Sequence, residues 1–160
     1  MTTRSGIGID IHPLVEGRPL VLGGVTVPFE KGLSGHSDGD VLTHSIIDAL
    51  LGGAGLGDIG THFPSNDPQY AGIVSTQLLS RSLKLLEEHQ WLTAFVDATI
   101  LAQRPQLEQF FNLMANKISL TLNIQELSVS IKATTTDHMG FIGREEGIAT
   151  YAVALIESKP

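Results

Sequence analysis

Residues 5–12 alternate strictly: Ile7, Ile9 and Ile11 fall on one face and Gly8, Asp10 and His12 on the other. A period of two is the signature of a β-strand, and the next fifty residues narrow the class. Leu20–Leu22 and Val25–Val27 flank Gly23-Gly24, a hairpin signal. Residues 38–51 then switch to helical spacing through Leu42, Ile46, Ala49 and Leu50, with Ser37 or Asp38 able to cap the helix and Gly52 to end it. A second helix is predicted over 75–89 from Leu78, Leu79, Leu83 and Leu86. A strand comes next over 95–103, with Val96, Ala98, Ile100 and Ala102 on one side. Pro105 is expected to open a third helix through Leu107, Phe111, Met114 and Ile118, and strands are expected over 128–135 and 148–157. Interleaved strands and helices predict an α+β fold, an α/β sandwich, as one domain over residues 1–160. Two loops, 52–72 and 136–147, carry no period, and long loops in small domains are commonly functional. Asp97 and Thr99 sit on the second face of the 95–103 strand, beside Phe95 and Leu101. A sheet with helices on one face only would offer that mixed face to another subunit.

Composition removes several classes. There is no cysteine, so disulfides, thiolate metal sites and cysteine nucleophiles are out. Ten Lys and Arg stand against seventeen Asp and Glu, a formal net charge of -7, the wrong balance for a nucleic-acid surface. No apolar run reaches the roughly 18 residues of a membrane span, and the N-terminus has no apolar signal core. The expectation is a soluble protein of the cytoplasm, or of a plastid-type organelle once its transit peptide is removed.

Histidines carry the first candidate chemistry. Asp10 and His12 leave the same face of a strand that Pro13 is expected to end. His44 lies on the first helix, with Asp40 and Asp48 four residues to either side on one stripe, where either could hold its second ring nitrogen. Asp10, His12 and His44 would give two nitrogens, one oxygen and an open position, the donor set of a catalytic zinc site. The plain alternative is a surface aspartate beside two hydrogen-bonded histidines. The segment 36–40, His-Ser-Asp-Gly-Asp, precedes a helix and suits a phosphate; an ordinary N-cap is the commoner use of such a segment. Gly55, Gly57 and Gly60 match G-x-G-x-x-G but come after a helix, so they are no dinucleotide fingerprint. Lys132 and the threonines at 134–136, with Phe141 and Arg144 beyond them, make a phosphate pocket or simply a threonine-rich strand edge.

Four fragments stand in a recognisable order: Gly8-Ile9-Asp10-Ile11-His12, then residues 36–40 with His44, then Gly57-Asp58-Ile59-Gly60 with Phe63-Pro64, then Lys132-Ala133-Thr134-Thr135-Thr136. Together they resemble the 2-C-methyl-D-erythritol 2,4-cyclodiphosphate synthase family of the non-mevalonate isoprenoid pathway, over nearly the whole chain. The resemblance implies a homotrimer of ferredoxin-like subunits, each a mixed sheet with helices on one face, with active sites between neighbours. It implies a phosphorus–oxygen lyase that cyclises 4-diphosphocytidyl-2-C-methyl-D-erythritol 2-phosphate with loss of CMP. Asp10, His12 and His44 match the residues that bind zinc, and Mg2+ or Mn2+ accompanies the substrate diphosphate. His36 and Thr135 match positions that stabilise the transition state, and Lys132 is expected to join them as a catalytic donor where charge develops. Asp58, Ile59, Gly60, Phe63 and Asp67 match the loop around the methylerythritol phosphate, and Asp10, His12, His36, Ser37 and Pro64 are expected to bind substrate as well. Ala102, Gln103, Pro105, Thr134, Thr135, Thr136 and Asp137 match the cytidine diphosphate side. Phe141 and Arg144 match the mouth of a central cavity that in the family can hold an isoprenoid diphosphate.

Ser65, Asn66, Arg104, Gln106 and Glu145 depart from residues common in relatives, and Glu145 is expected to weaken anion binding beside Arg144. Two other readings use the same residues. A metal-dependent phosphohydrolase would release no cyclic product, and a trimeric binding module would not turn over.

Overall fold

The structure, a computed structural model, describes residues 1–160. The chain runs β1 (Thr3–Glu16), β2 (Leu20–Leu22), β3 (Val25–Val27), β4 (Lys31–Leu33), α1 (Val41–Ala54), the single turn α2 (Ile59–His62), α3 (Ser75–Glu88), β5 (Trp91–Leu101), α4 (Phe111–Leu122), β6 (Val129–Thr134), the single turn α5 (Gly140–Gly143) and β7 (Gly147–Ser158). Five strands form a mixed sheet in the order β4-β1-β7-β5-β6, and β2 pairs with β3 alone. β7 is antiparallel to both its neighbours, whereas β5 and β6 are parallel and therefore need the crossover that α4 supplies. The α+β expectation holds, with one correction. A ferredoxin-like chain runs β-α-β-β-α-β; here α4 separates β5 from β6, and β6 leads to β7 with only the turn α5 between. No helix is long and apolar enough to cross a membrane.

The long helices lie on one face of the sheet: α1 packs on β1 and β7, α3 on β5 and α4 on β6. Val96, Ala98 and Ile100 of β5 and Ile148, Ala152, Ala154 and Ile156 of β7 fill the core beneath them. Glycine decides how α1 sits. A Cβ on Gly6 would stand 2.0 Å from the carbonyl oxygen of Ala49, and one on Gly8 1.8 Å from that of Ser45. The helix backbone therefore rests directly on the strand, a contact only glycine permits.

Because the glycine face of β1 points inward, its isoleucines point out. Ile7, Ile9 and Ile11, with Tyr151, Val153 and Leu155 of β7, are between 37% and 64% exposed. The strand register adds Phe95, Asp97, Thr99 and Leu101 of β5 to the same face. This side of the sheet carries no helix in the chain, in line with the mixed second face read from the sequence.

Several boundaries differ from the periodic reading. β1 does not stop at Pro13: that residue closes the pairing with β7, and Leu14, Val15 and Glu16 go on to pair with β4. Proline costs nothing there, because its carbonyl is the group in use, accepting from the Ser34 N–H at 2.9 Å. α1 is capped by Asp40 and runs through Gly52 and Gly53 to a left-handed Gly55. β5 begins at Trp91, and the third helix begins at Phe111 after a 3-10 turn rather than at Pro105. The 52–72 loop contains α2 and a 3-10 turn at Pro68–Tyr70. The Gly23-Gly24 hairpin is as expected, with both glycines at positive φ.

Two glycines on the α1–β1 unit should respond oppositely to alanine. Gly8→Ala forces α1 off the strand and is expected to destabilise by about 1–3 kcal/mol or more. At Gly52 an added Cβ meets nothing nearer than 3.9 Å. Gly52→Ala, in a helix interior, is expected to stabilise by about 0.5–1 kcal/mol. Thermal melts of the two variants check this.

Candidate functional site

Beyond the glycines, the inner face of β1 presents Asp10 and His12, and the contact at Gly8 brings His44 of α1 down to them. Asp10 Oδ2 is 3.0 Å from His12 Nε2 and 3.0 Å from His44 Nδ1. Ligand atoms of the three residues all lie within 4.8 Å of one another. Each ring is held from behind. His12 Nδ1 donates to the Ser34 carbonyl at 2.5 Å, and His44 Nε2 lies 2.9 Å from Ser75 Oγ and 3.0 Å from Ser37 Oγ. Burial would raise the Asp10 carboxyl, but hydrogen bonds from His12 and His44 outweigh it and hold the group well below the usual carboxylate range. Burial likewise works against charge on His12, and the hydrogen bond to Asp10 overcomes it, so the imidazole sits above its ordinary value of 6.5. A carboxylate oxygen and two ring nitrogens at these separations need protons or a cation between them. The donor set, with both rings fixed at their far nitrogens, fits a zinc-type divalent site.

The triad opens into a cleft of about 260 Å³. His36 and Ser37 stand beside it, and Ile59, Gly60 and Phe63 form the opposite side with Ser65, Tyr70, Ile73 and Leu78. The loop wall is built by caps. Asp48 Oδ1 accepts from the Ile59 N–H at 2.8 Å, tying α2 to α1, and Asp58 caps α2 through the Thr61 N–H at 2.8 Å. Asp67 caps the 3-10 turn through the Gln69 N–H at 3.0 Å, and its carbonyl lies 3.3 Å from His36 Nε2. Hydrogen bonds from Thr61 and Gln69 hold the Asp58 and Asp67 carboxyls below their ordinary range. Pro64 comes directly after Phe63, whose ring meets Tyr70 edge-on at 5.6 Å.

A second cleft, of about 400 Å³, lies at the carboxyl ends of the parallel pair β5 and β6. Ala102, Gln103 and Pro105 line it together with Thr134 and Thr135. Gln103 Oε1 accepts from the His138 N–H at 3.0 Å, and Thr135 Oγ1 from the Asp137 N–H at 3.3 Å. Thr136 donates to the Met139 carbonyl at 2.7 Å. Within one chain, the residues expected at a single site therefore fall into two separate clefts.

A YgbB family model matches residues 3–157. The 2-C-methyl-D-erythritol 2,4-cyclodiphosphate synthase of Symbiobacterium thermophilum is 54% identical over 154 residues, covering 96% of this chain and 98% of its own. That of Pelotomaculum thermopropionicum is also 54% identical, over 96% of this chain and 94% of its own. The chain belongs to this synthase family. The bifunctional IspDF of Campylobacter jejuni superposes with a TM-score of 0.95 at 40% identity over 98% of this chain, which spans 42% of that larger protein. IspF of Plasmodium falciparum, solved as a CDP complex, superposes at 0.86 with 34% identity, covering 99% and 97% of the two chains.

Against the family pattern, several side chains have other occupations. Lys132 lies in neither cleft: its Nζ is 2.5 Å from Asp97 Oδ1, on the bare sheet face. Phe141 and Arg144 are exposed near α5, and Arg144 Nε bonds Glu146 Oε1 at 2.8 Å. Glu145 faces Arg104 at 3.2 Å rather than standing free, so these two departures from the family are partners. Neither Asp40 nor Asp48 supports His44. Asp40 is fully buried and accepts from the N–H groups of Gly23, Gly24 and Thr43, and Asp48 holds Ile59. Asp40 also occupies the α1 start, where the sequence allows a phosphate, so that segment is an N-cap. Ser65, read from the sequence only as a departure from the family, lines the cleft, whereas Tyr70, Ile73, Ser75 and Leu78 escape a sequence reading of the site because lone hydroxyl and apolar residues carry no spacing signal.

His44→Ala should abolish stoichiometric zinc binding, measured as metal content after dialysis of the folded protein. Protons compete for the nitrogens of the triad, so zinc affinity should fall as pH drops through the His12 titration, by about tenfold per pH unit for each proton displaced. Chelator competition at two pH values reads this directly.

Proposed function

We propose that the protein converts 4-diphosphocytidyl-2-C-methyl-D-erythritol 2-phosphate to 2-C-methyl-D-erythritol 2,4-cyclodiphosphate and CMP, as a phosphorus–oxygen lyase of isoprenoid precursor synthesis. The observation that carries this reading is the convergence of Asp10, His12 and His44 at the head of a cleft bounded by residues 59–63, in a chain of this family. An oxygen of the 2-phosphate forms a bond to the β-phosphorus, the bond from that phosphorus to the bridging oxygen breaks, and CMP leaves with the electron pair. No water and no protein nucleophile enters, which suits a chain without cysteine.

Two anionic groups must meet, and the chain's part is to hold them and offset their charge. Asp10, His12 and His44 would hold zinc, and zinc with a second ion, Mg2+ or Mn2+, on the diphosphate supplies Lewis acidity and neutralises charge. His36 and Thr135 donate hydrogen bonds where charge develops, each worth typically about 3 kcal/mol in such a role. Ser37, Asp58, Ile59, Gly60, Phe63, Pro64 and Asp67 shape the methylerythritol side and keep bulk water from the phosphorus. Ala102, Gln103, Pro105, Thr134, Thr136 and Asp137 take the cytidine diphosphate side. A small ionic substrate suits a cytoplasmic setting.

Two separate half-sites call for a second copy of the chain. In a homotrimer the metal cleft of one subunit meets the nucleotide cleft of its neighbour, and the bare apolar face turns inward around a central cavity. Lys132 and Asp97 then lie on the buried sheet face, and Phe141 and Arg144 at the cavity mouth, where an isoprenoid diphosphate would bind.

Mixing inactive variants tests reaction and assembly together. Chains carrying His44→Ala or Thr135→Ala should each be nearly inert alone. Co-refolded at equal amounts, they should recover about a quarter of native turnover, the share of interfaces with both halves intact in random mixing. No recovery would place both halves within one chain.

A further inference from the structure

We propose that Arg18 is a positioning residue for His36: its guanidinium grips the backbone on either side of that histidine and so aims the ring into the metal cleft. The proposal rests on the reading of His36 as a hydrogen-bond donor to the reacting phosphates and adds what holds it in place. Residues 34–40 join β4 to α1 outside any strand or helix, so their backbone polar groups need partners of another kind. Arg18 supplies two of them. Its Nη1 donates to the Gly35 carbonyl at 3.0 Å, and its Nη2 donates to the Ser37 carbonyl at 2.9 Å. The carbonyl between them, that of His36 itself, accepts from the Gly72 N–H at 2.8 Å. The Asp38 N–H donates to the Ile73 carbonyl at 3.1 Å. Residues 35–38 are thereby fixed, partly by one side chain and partly by the loop before α3.

The shape of the side chain makes this possible. A guanidinium presents its N–H groups in one rigid plane and reaches two acceptors at once, whereas an ammonium is a point charge. Arg18 is partly buried and takes part in none of the ion pairs of the chain, so no carboxylate competes for the fork. Its own backbone is pinned as well. A Cβ on Gly32 of β4 would stand 2.3 Å from the Arg18 carbonyl oxygen and 2.2 Å from that of Pro19. The chain at 18–19 therefore lies directly on the strand, a contact that needs glycine. His36, by contrast, is exposed, and its ring has a single polar contact, Nε2 at 3.3 Å from the Asp67 carbonyl. A ring held so lightly points where its backbone directs it. Arg18 lines neither the metal cleft nor the nucleotide cleft, so its influence on the chemistry runs through the 35–37 backbone. The triad does not share this dependence, since the Ser34 carbonyl stands behind His12 and Ser75 Oγ behind His44.

Steady-state turnover of whole-chain variants on 4-diphosphocytidyl-2-C-methyl-D-erythritol 2-phosphate tests this. Arg18→Ala should lower kcat by about 10–100-fold, the upper figure being what a misplacement of about 1 Å costs, and leave KM unchanged. Arg18→Lys, which keeps the charge and loses the fork, should recover only part of the loss. In a His36→Ala background Arg18→Ala should add little, because the residue it positions is already gone. Zinc content should stay native. Full turnover in Arg18→Ala or in Arg18→Lys, losses that multiply with His36→Ala, or loss of zinc would each overturn the proposal. A raised KM at native kcat would overturn it too, marking a direct grip on substrate. If Arg18→Ala does not fold, the same cycle is run with Arg18→Lys. Hydrogen exchange reads the grip without turnover: the Asp38 and Gly72 amides should exchange faster in Arg18→Ala, and unchanged protection would refute it. Native turnover in His36→Ala alone would instead strike the role given to His36, on which the proposal rests.

Discussion

Everything functional in this molecule hangs on the backbone contact between α1 and β1. At Gly6 and Gly8 the helix carbonyls approach so closely that no side chain fits between. That approach sets His44 3.0 Å from Asp10. The helix is fixed from three other directions as well. Its Asp40 cap accepts from the N–H groups of Gly23 and Gly24 at the β2–β3 turn, at 2.9 and 2.7 Å. The Val41 carbonyl accepts from Thr150 of β7 at 2.7 Å, and Asp48 holds the first residue of α2. Burial raises the Asp40 carboxyl even so, despite the hydrogen bonds from Thr43 and the hairpin. A fully buried acid of this kind is strongly destabilising once it loses its donors; here it joins the helix start to the hairpin.

The cost of turning glycine inward is borne by the opposite face. A strand whose small and polar residues face the helices must point its isoleucines outward, and β7 has the same pattern with Tyr151, Val153 and Leu155. A single chain leaves this apolar surface to water, and contiguous exposed apolar patches commonly mark interaction sites. The metal half-site and the apolar face are thus two consequences of one choice of strand orientation, and this links the proposed chemistry to the proposed assembly.

Much of this is legible in the residues. The strong periods of β1, β5, β7, α1 and α3 announce themselves because each is long enough to repeat. β4, α2 and α5 do not, since three or four residues hold no period. The donor types of the metal triad are readable, but the support behind them is not. Helical spacing puts Asp40 and Asp48 on the stripe of His44, yet capping and loop anchoring have prior claim on both. The carboxylate that does stand behind His44 is Asp38, acting through Ser75 from another helix, a relation no local pattern encodes. The division of the predicted site into two clefts is not written in spacing; only the family resemblance, with its active sites between neighbours, anticipates it. Arg104 and Glu145, each unusual alone, make sense only as neighbours.

The most direct test is phosphorus NMR of the zinc-loaded protein with 4-diphosphocytidyl-2-C-methyl-D-erythritol 2-phosphate and magnesium. A metal-assisted cyclisation at this site should give a cyclic diphosphate with one CMP per turnover, lost when zinc is chelated and restored when zinc returns. An open-chain phosphate product, or cyclisation indifferent to removal of the metal, would contradict it.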